Sequence, residues 1–225
     1  MRWVRFAPKS RKRILFKVHD STGQQELPTI LDDVNLETLR SSLLQQPSGS
    51  APIVEAGGDR QNLVAASVLF PIVLHEQGPT VLLTQRTDQL RDHPGQISFP
   101  GGRVEPGDLS AVDTALREAY EEIGLSPRHV EVIGFLPEYL TATGYRITPV
   151  VAFLTPPFSL RADPSEVAEV FEVPLAFLMN PANHERHSRE YQGRTRHFFA
   201  MPYGRHYIWG ATAGIIVALA RLLAV

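Results

Sequence analysis

The chain has 225 residues, 43% of them hydrophobic, with a formal net charge of −2 at pH 7 and an isoelectric point near 6.4. That is enough apolar material for one domain with an extension, and the near-neutral balance excludes the broad positive field on which nucleic-acid binding relies. No cysteine is present, which excludes disulfides, zinc–thiolate sites and thiol nucleophiles and fits a reducing cytoplasm, the expected location.

Residues 1–17 hold seven Arg or Lys and no acid. With few serines and no clear amphipathic helix they read as a solvated basic arm rather than a transit peptide, and no signal peptide is visible. Ile14–Val18 has the look of a short strand. Asn35–Gln45 carries Leu36, Leu39, Leu43 and Leu44 on one side and predicts a short helix. Gln46–Gly58 is linker-like, so residues 1–60 are read as an N-terminal extension and 61–225 as the main domain. Val64–Leu74 and Thr80–Arg86 are apolar, β-rich runs separated by the turn signal Glu76–Pro79, and they predict a hairpin. Arg86 and Arg91 then leave the strand end on a polar loop, where two guanidiniums either fork onto phosphate oxygens or sit solvated. Pro100 ends a strand at Gln96–Phe99, and Gly101-Gly102 lets backbone N–H groups approach an anion closely.

The run Arg117-Glu118-Ala119-Tyr120-Glu121-Glu122-Ile123-Gly124-Leu125 is the most informative in the chain. At about 100° per residue, Glu118, Glu121 and Glu122 share one arc of a helix, with Val112, Leu116, Tyr120 and Ile123 opposite. Glu118 and Glu122 stand side by side and repel unless a cation lies between them. Hard oxygen donors on a rigid face beside a glycine turn suit Mg²⁺ or Mn²⁺ held against a phosphate; an ordinary solvated helix face is the bland alternative. Beyond the helix, Val130–Pro137 and Ile147–Leu154 read as strands, Thr155–Phe158 as a Pro-rich loop, Val173–Met179 as a short helix and His197–Met201 as a strand. His184–His206 holds five Arg, four His and two Glu, and reads first as a solvated, flexible loop. The last 18 residues are apolar, yet Arg221 and the small residues within them favour a core-packed helix over a membrane anchor. Strands alternating with two main helices predict an α/β/α sandwich around a mixed sheet.

Residues 101–125 resemble the Nudix box, G-x5-E-x7-R-E-U-x-E-E-x-G-U, in which U is a bulky aliphatic residue. The second half matches, with Ala119 in an aliphatic place. In the first half Asp108 replaces the leading Glu and lies one residue further from Arg117, so Asp108–Arg117 is the expected structural pair. Residues 82–102, LLTQRTDQLRDHPGQISFPGG, resemble the signature of the coenzyme A diphosphatase branch of the Nudix family, LLT-x-R-(S/T)-x3-R-x3-G-x3-FPGG, at every fixed position. That branch also carries the longer loop before the box. Looser likeness continues through 143–151, 165–175 and 207–214, so the resemblance spans about residues 60–225.

The resemblance implies a Nudix-type sandwich and a metal-dependent hydrolase cleaving the diphosphate of coenzyme A or acyl-CoA to 3′,5′-ADP and (acyl-)4′-phosphopantetheine. It implies Mg²⁺ or Mn²⁺ on Glu118, Glu121 and Glu122, orientation of these by Arg117, and substrate contacts from Arg86, Arg91, Gly101 and Gly102. Glu121, Glu138 and Glu166 are the candidate bases. The basic 184–206 stretch could meet the 3′-phosphate of the adenosine, and Phe198, Phe199, Tyr203 or Tyr207 could stack the adenine, although such spacing is more often core. The expected partner is a small-molecule substrate, with no nucleic acid and no membrane, and a homodimer is left open. The alternatives are a Nudix hydrolase of ADP-ribose or NADH and a non-catalytic nucleotide-binding regulator.

Overall fold

The computed structural model describes residues 36–47, 50–55, 62–90, 92–191 and 194–224. The basic arm, the strand expected at Ile14–Val18 and Arg91 lie outside the described residues. In chain order, α1 (Leu36–Ser42) and β1 (Ile53–Val54) precede β2 (Val64–Val73), β3 (Thr80–Arg86), β4 (Ile97–Ser98) and β5 (Gly101–Arg103). They are followed by α2 (Ala111–Ile123), β6 (Val130–Phe135), β7 (Tyr139–Leu140), β8 (Tyr145–Leu154) and β9 (Val167–Pro174). The chain finishes with α3 (Leu175–Met179), β10 (Glu185–Tyr191), β11 (Arg194–Tyr203), β12 (His206–Trp209) and α4 (Gly210–Leu223).

β1–β9 form one mixed sheet of nine strands, and β10–β12 form a second, antiparallel sheet of three. β2 and β8 run parallel along their whole length, from Val64 opposite Tyr145 to Val73 opposite Leu154. Both strands are covered on both faces, which is why they read as nearly unbroken apolar runs. The pleat sorts their side chains with period two. Leu69, Val73, Leu82, Val150 and Ala152 pack with Ala115, Ala119 and Ile123 of α2. Phe70, Ile72, Leu83, Val151 and Phe153 turn to the other face, against Leu39 of α1, Leu178 of α3 and Ile216 of α4. Each such side chain taken fully out of water contributes about 1.5–3 kcal/mol. Helices thus cover both faces of the large sheet, in an α/β/α sandwich.

The β2–β3 hairpin forms with Val73 opposite Thr80. α4 is a 14-residue helix packed into the core through Ala213, Ile215, Ile216 and Leu219, and no described helix is long and apolar enough to cross a membrane. Three local expectations need correction. Ile53–Val54, inside the expected linker, is a strand paired in parallel with Tyr139–Leu140. The basic 184–206 stretch is no loose loop, because β10 and β11 pair in continuous register from Glu185–Ala200 to Tyr191–Arg194. Tyr120, expected on the apolar side of its helix, is 59% exposed. The buried stripe of α2 centres on Ala115, Ala119 and Ile123, so Tyr120 falls past one edge and Glu122 falls onto the other.

Candidate active site

α2 is fixed at both ends. The Ser110 hydroxyl accepts the N–H of Asp113 at 3.2 Å, and Gly124 closes the helix at φ 65°, a left-handed conformation that glycine adopts without a Cβ penalty. The acidic edge of α2 lies against β5, which pairs with the first half of β2, Ser67 opposite Gly102 and Val68 opposite Gly101. A Cβ on Gly101 would overlap the backbone of Ser67 and Val68, and one on Gly102 would overlap the Glu118 carboxyl group. The glycine pair therefore allows a carboxylate helix to lie directly against a strand edge. The Gly101 N–H does face an acidic side chain, Glu122, whose Oε2 accepts it at 3.3 Å.

Arg117 holds the acidic edge in order. Its Nε and Nη2 donate to the two Asp108 oxygens, both at 3.0 Å, in a forked pair. Asp108 also accepts the Glu105 N–H at 2.9 Å and the Thr114 hydroxyl at 2.8 Å. Those donors, with Arg117 foremost, hold its carboxyl well below the usual carboxylate range. The longer loop is accommodated because Glu105–Asp108 forms a turn closed by the Asp108 N–H on the Glu105 carbonyl at 3.0 Å. From the other side of the same guanidinium, Nη1 donates to Glu118 at 2.9 Å and to Glu121 at 3.0 Å.

Glu122 is 4% exposed. Burial first and the neighbouring Glu118 second push its carboxyl up to about 8, against the opposing pull of the Gly101 N–H and Arg86. Burial also raises Glu118, which Arg117 partly offsets. Glu166 adds to the negative field at both. Crowded, desolvated carboxylates with hard oxygens are the donor set of a small divalent cation, which would take the place of the proton that Glu122 otherwise keeps. Among the described residues no three acidic or imidazole groups stand together at coordinating positions, so the fit lies in donor chemistry and charge.

A cleft of about 1160 Å³ opens onto this edge. Arg86, Gly101, Gly102, Glu118, Glu122 and Glu166 line it, whereas Arg117 and Glu121 do not. Glu121 keeps 57% of its side chain exposed on its bond to Arg117. Glu138 pairs instead with Arg146 at 3.7 Å. The Nε of Arg86 is buried without a hydrogen-bond partner among the described residues, a donor left over for a ligand. Thr87, which follows it, fixes the loop that carries Glu166: its N–H donates to the Glu166 carbonyl at 2.9 Å and its hydroxyl to that of Ser165 at 3.3 Å. The sequence reading missed Glu55, which lines the cleft and accepts the Ala142 N–H at 2.7 Å. No pattern in a supposed linker points to it. It also missed Arg103, whose Nη2 donates to the Tyr145 hydroxyl at 2.7 Å on the cleft wall.

A family model described as the NUDIX domain matches residues 64–192. NudL of Escherichia coli strain K12, an uncharacterized Nudix hydrolase, is 44% identical over 71% of this chain and 83% of its own. NudL of Enterobacter sp. strain 638 is 41% identical over 72% and 84%. Among solved structures, the Nudix hydrolase RenU of M. smegmatis is 21% identical over 56% of this chain and 81% of that one, with a TM-score of 0.44. The NUDIX domain of Shewanella oneidensis NrtR, complexed with ADP ribose, is likewise 21% identical, over 54% and 80%, with a TM-score of 0.41. With the domain matched over more than half its length and relatives above 40% identity, the chain belongs to the Nudix family of hydrolases.

Proposed function

We propose that this hydrolase cleaves the diphosphate of coenzyme A or its acyl esters, releasing 3′,5′-ADP and (acyl-)4′-phosphopantetheine. One observation carries the reading. The 82–102 segment, with its likeness to the coenzyme A diphosphatase signature, brings Arg86 and its glycine pair into the same cleft as Glu118 and Glu122. At about 1160 Å³ that cleft exceeds the roughly 300–1,000 Å³ of most small-molecule sites, as an elongated substrate needs.

Nudix hydrolases generally use divalent metal ions. Here Glu118 and Glu122 would hold Mg²⁺ or Mn²⁺, with Glu121 the third expected ligand from the rim and Glu166 facing them. Bound there, the cation supplies charge stabilisation at the phosphoryl oxygens and lowers the pKa of water. Arg86 forks onto non-bridging oxygens of the diphosphate, with Arg91 as its expected second clamp and Gly101 and Gly102 bordering the path. Arg117 is a positioning residue, keeping Glu118 and Glu121 in one orientation. Glu166 takes the proton of the attacking water as its oxygen bonds to phosphorus. The bond from that phosphorus to the bridging oxygen then breaks, and the oxygen leaves on the other phosphate.

The test is a side-by-side hydrolysis panel of coenzyme A, acetyl-CoA, ADP-ribose and NADH with Mg²⁺ or Mn²⁺, with chromatography following 3′,5′-ADP from the first two and 5′-AMP from the last two. Coenzyme A or its ester is expected to give the highest kcat/KM. Faster turnover of ADP-ribose or NADH would overturn the assignment.

A further inference from the structure

We propose that Arg189 and Arg196 form a second anion subsite, taking a phosphate of the substrate separate from the diphosphate, with Phe198 and Trp209 against the ring system that bears it. The natural ligand depends on the coenzyme A reading above, in which this group is the 3′-phosphate of the adenosine; the subsite itself is argued from the small sheet.

Arg189 lies directly opposite Arg196 across the β10–β11 ladder, and His187 opposite Phe198. On β12, Trp209 stands opposite Ala200. Side chains alternate along strands, so His187, Arg189, Arg196, Phe198 and Trp209 belong to one face of the small sheet. Phe199, Met201 and Ile208 take the other face and pack into the core. The first face supplies Arg189, Arg196, Phe198 and Trp209 to the wall of the catalytic cleft, which His197 also borders.

Two guanidiniums directly opposite each other on one face can converge on a single anion. A phosphate dianion between the two forks would accept several charge-assisted hydrogen bonds. Beside it, Phe198 stacks on His187 at 5.7 Å and meets the edge of Trp209 at 5.6 Å. Trp209 keeps 37% of its surface exposed. A preformed aromatic wall next to a cationic pair, in the cleft that holds the carboxylates, suits a phosphorylated nucleoside.

Binding of 3′,5′-ADP and of 5′-AMP, which lacks only the 3′-phosphate, measured by calorimetry on the full chain, tests this apart from turnover. The parent should bind 3′,5′-ADP about ten-fold or more tightly than 5′-AMP. Arg189→Ala and Arg196→Ala should each bring that ratio towards one. Arg186→Ala, which removes a charge from the opposite face of β10, should leave it intact. A ratio near one in the parent, or one that neither variant moves, would overturn the subsite. Arg189 is exposed, so its variant remains informative if Arg196→Ala fails to fold. Selective 3′,5′-ADP binding without coenzyme A hydrolysis would keep the subsite and sink the substrate assignment, and hydrolysis without selectivity would do the reverse.

Discussion

Glu122→Gln tests the electrostatic account of the acidic edge directly. In the metal-free protein the folded-state carboxyl titrates near 8 instead of the ordinary 4.5, mainly through burial and then through Glu118. Below pH 4.5 the group is protonated in both folded and unfolded chains and contributes nothing. As pH rises from 4.5 towards 8 the unfolded chain loses a proton that the native state keeps, so Glu122 progressively destabilises the fold and the penalty levels off above 8. At about 1.36 kcal/mol per pH unit, that interval sets an upper bound of about 5 kcal/mol. Glutamine keeps the shape and the acceptor for Gly101 but cannot ionise. If half the bound survives relaxation, the variant should melt roughly 5–10 °C higher than the parent at pH 8.5 in EDTA, at about 2–4 °C per kcal/mol for a domain of this size. At pH 4.5 the two should melt together. Circular-dichroism melts at the two pH values decide it: a gap that does not change with pH refutes the account. Saturating Mg²⁺ should close the gap by stabilising the parent, and turnover should fall at least about 100-fold in the variant.

Three further substitutions probe the supports. Arg86→Lys keeps the charge and loses the fork, so kcat/KM should drop at least about ten-fold; if Lys matches the parent while Ala fails, the role is diffuse attraction. Asp108→Asn should lower kcat about 10–100-fold with a smaller change in KM, because Arg117 loses one acceptor of the fork and the charge that aim it at Glu118 and Glu121, and an unchanged kcat would dismiss the positioning role. Gly102→Ala should abolish most activity while leaving the circular-dichroism spectrum native, since the added methyl displaces the Glu118 carboxyl group; full activity would show that β5 gives way easily.

What was legible in the chain followed from local rules. The turn signal at Glu76–Pro79, the helical spacing of residues 112–123 and the apolar runs of β2 and β8 are written in neighbouring residues, and so the hairpin, α2 and the sandwich could be drawn beforehand. The acidic arc was readable too, although not its depth: Glu122 is buried while Glu121, one step earlier, is open, because the strand covering that edge comes from residues 101–103. Pairing hides more than burial. Glu185–Tyr191 has too little apolar alternation to predict a strand, and it becomes one through its register with 194–200. Glu55 lies on the shortest of structures, next to a two-residue strand, where no periodicity can build up. Thr87 carried a family signature, yet its work, tying down the loop of Glu166, needed the third dimension.

The cleft is not contained in the region by which the family is recognised. Residues 64–192 supply Glu118, Glu122, Glu166, Arg86 and Arg189. Glu55 comes from before that span, and Arg196, Phe198, Trp209 and Thr212 come from after it. A fragment trimmed to the matched span would lose α4 with its core contacts, one loop clamp and most of the far wall. On the proposed reading the hydrolytic groups lie inside the matched span, whereas the wall that would meet the far end of a substrate is shared between that span and the stretches outside it.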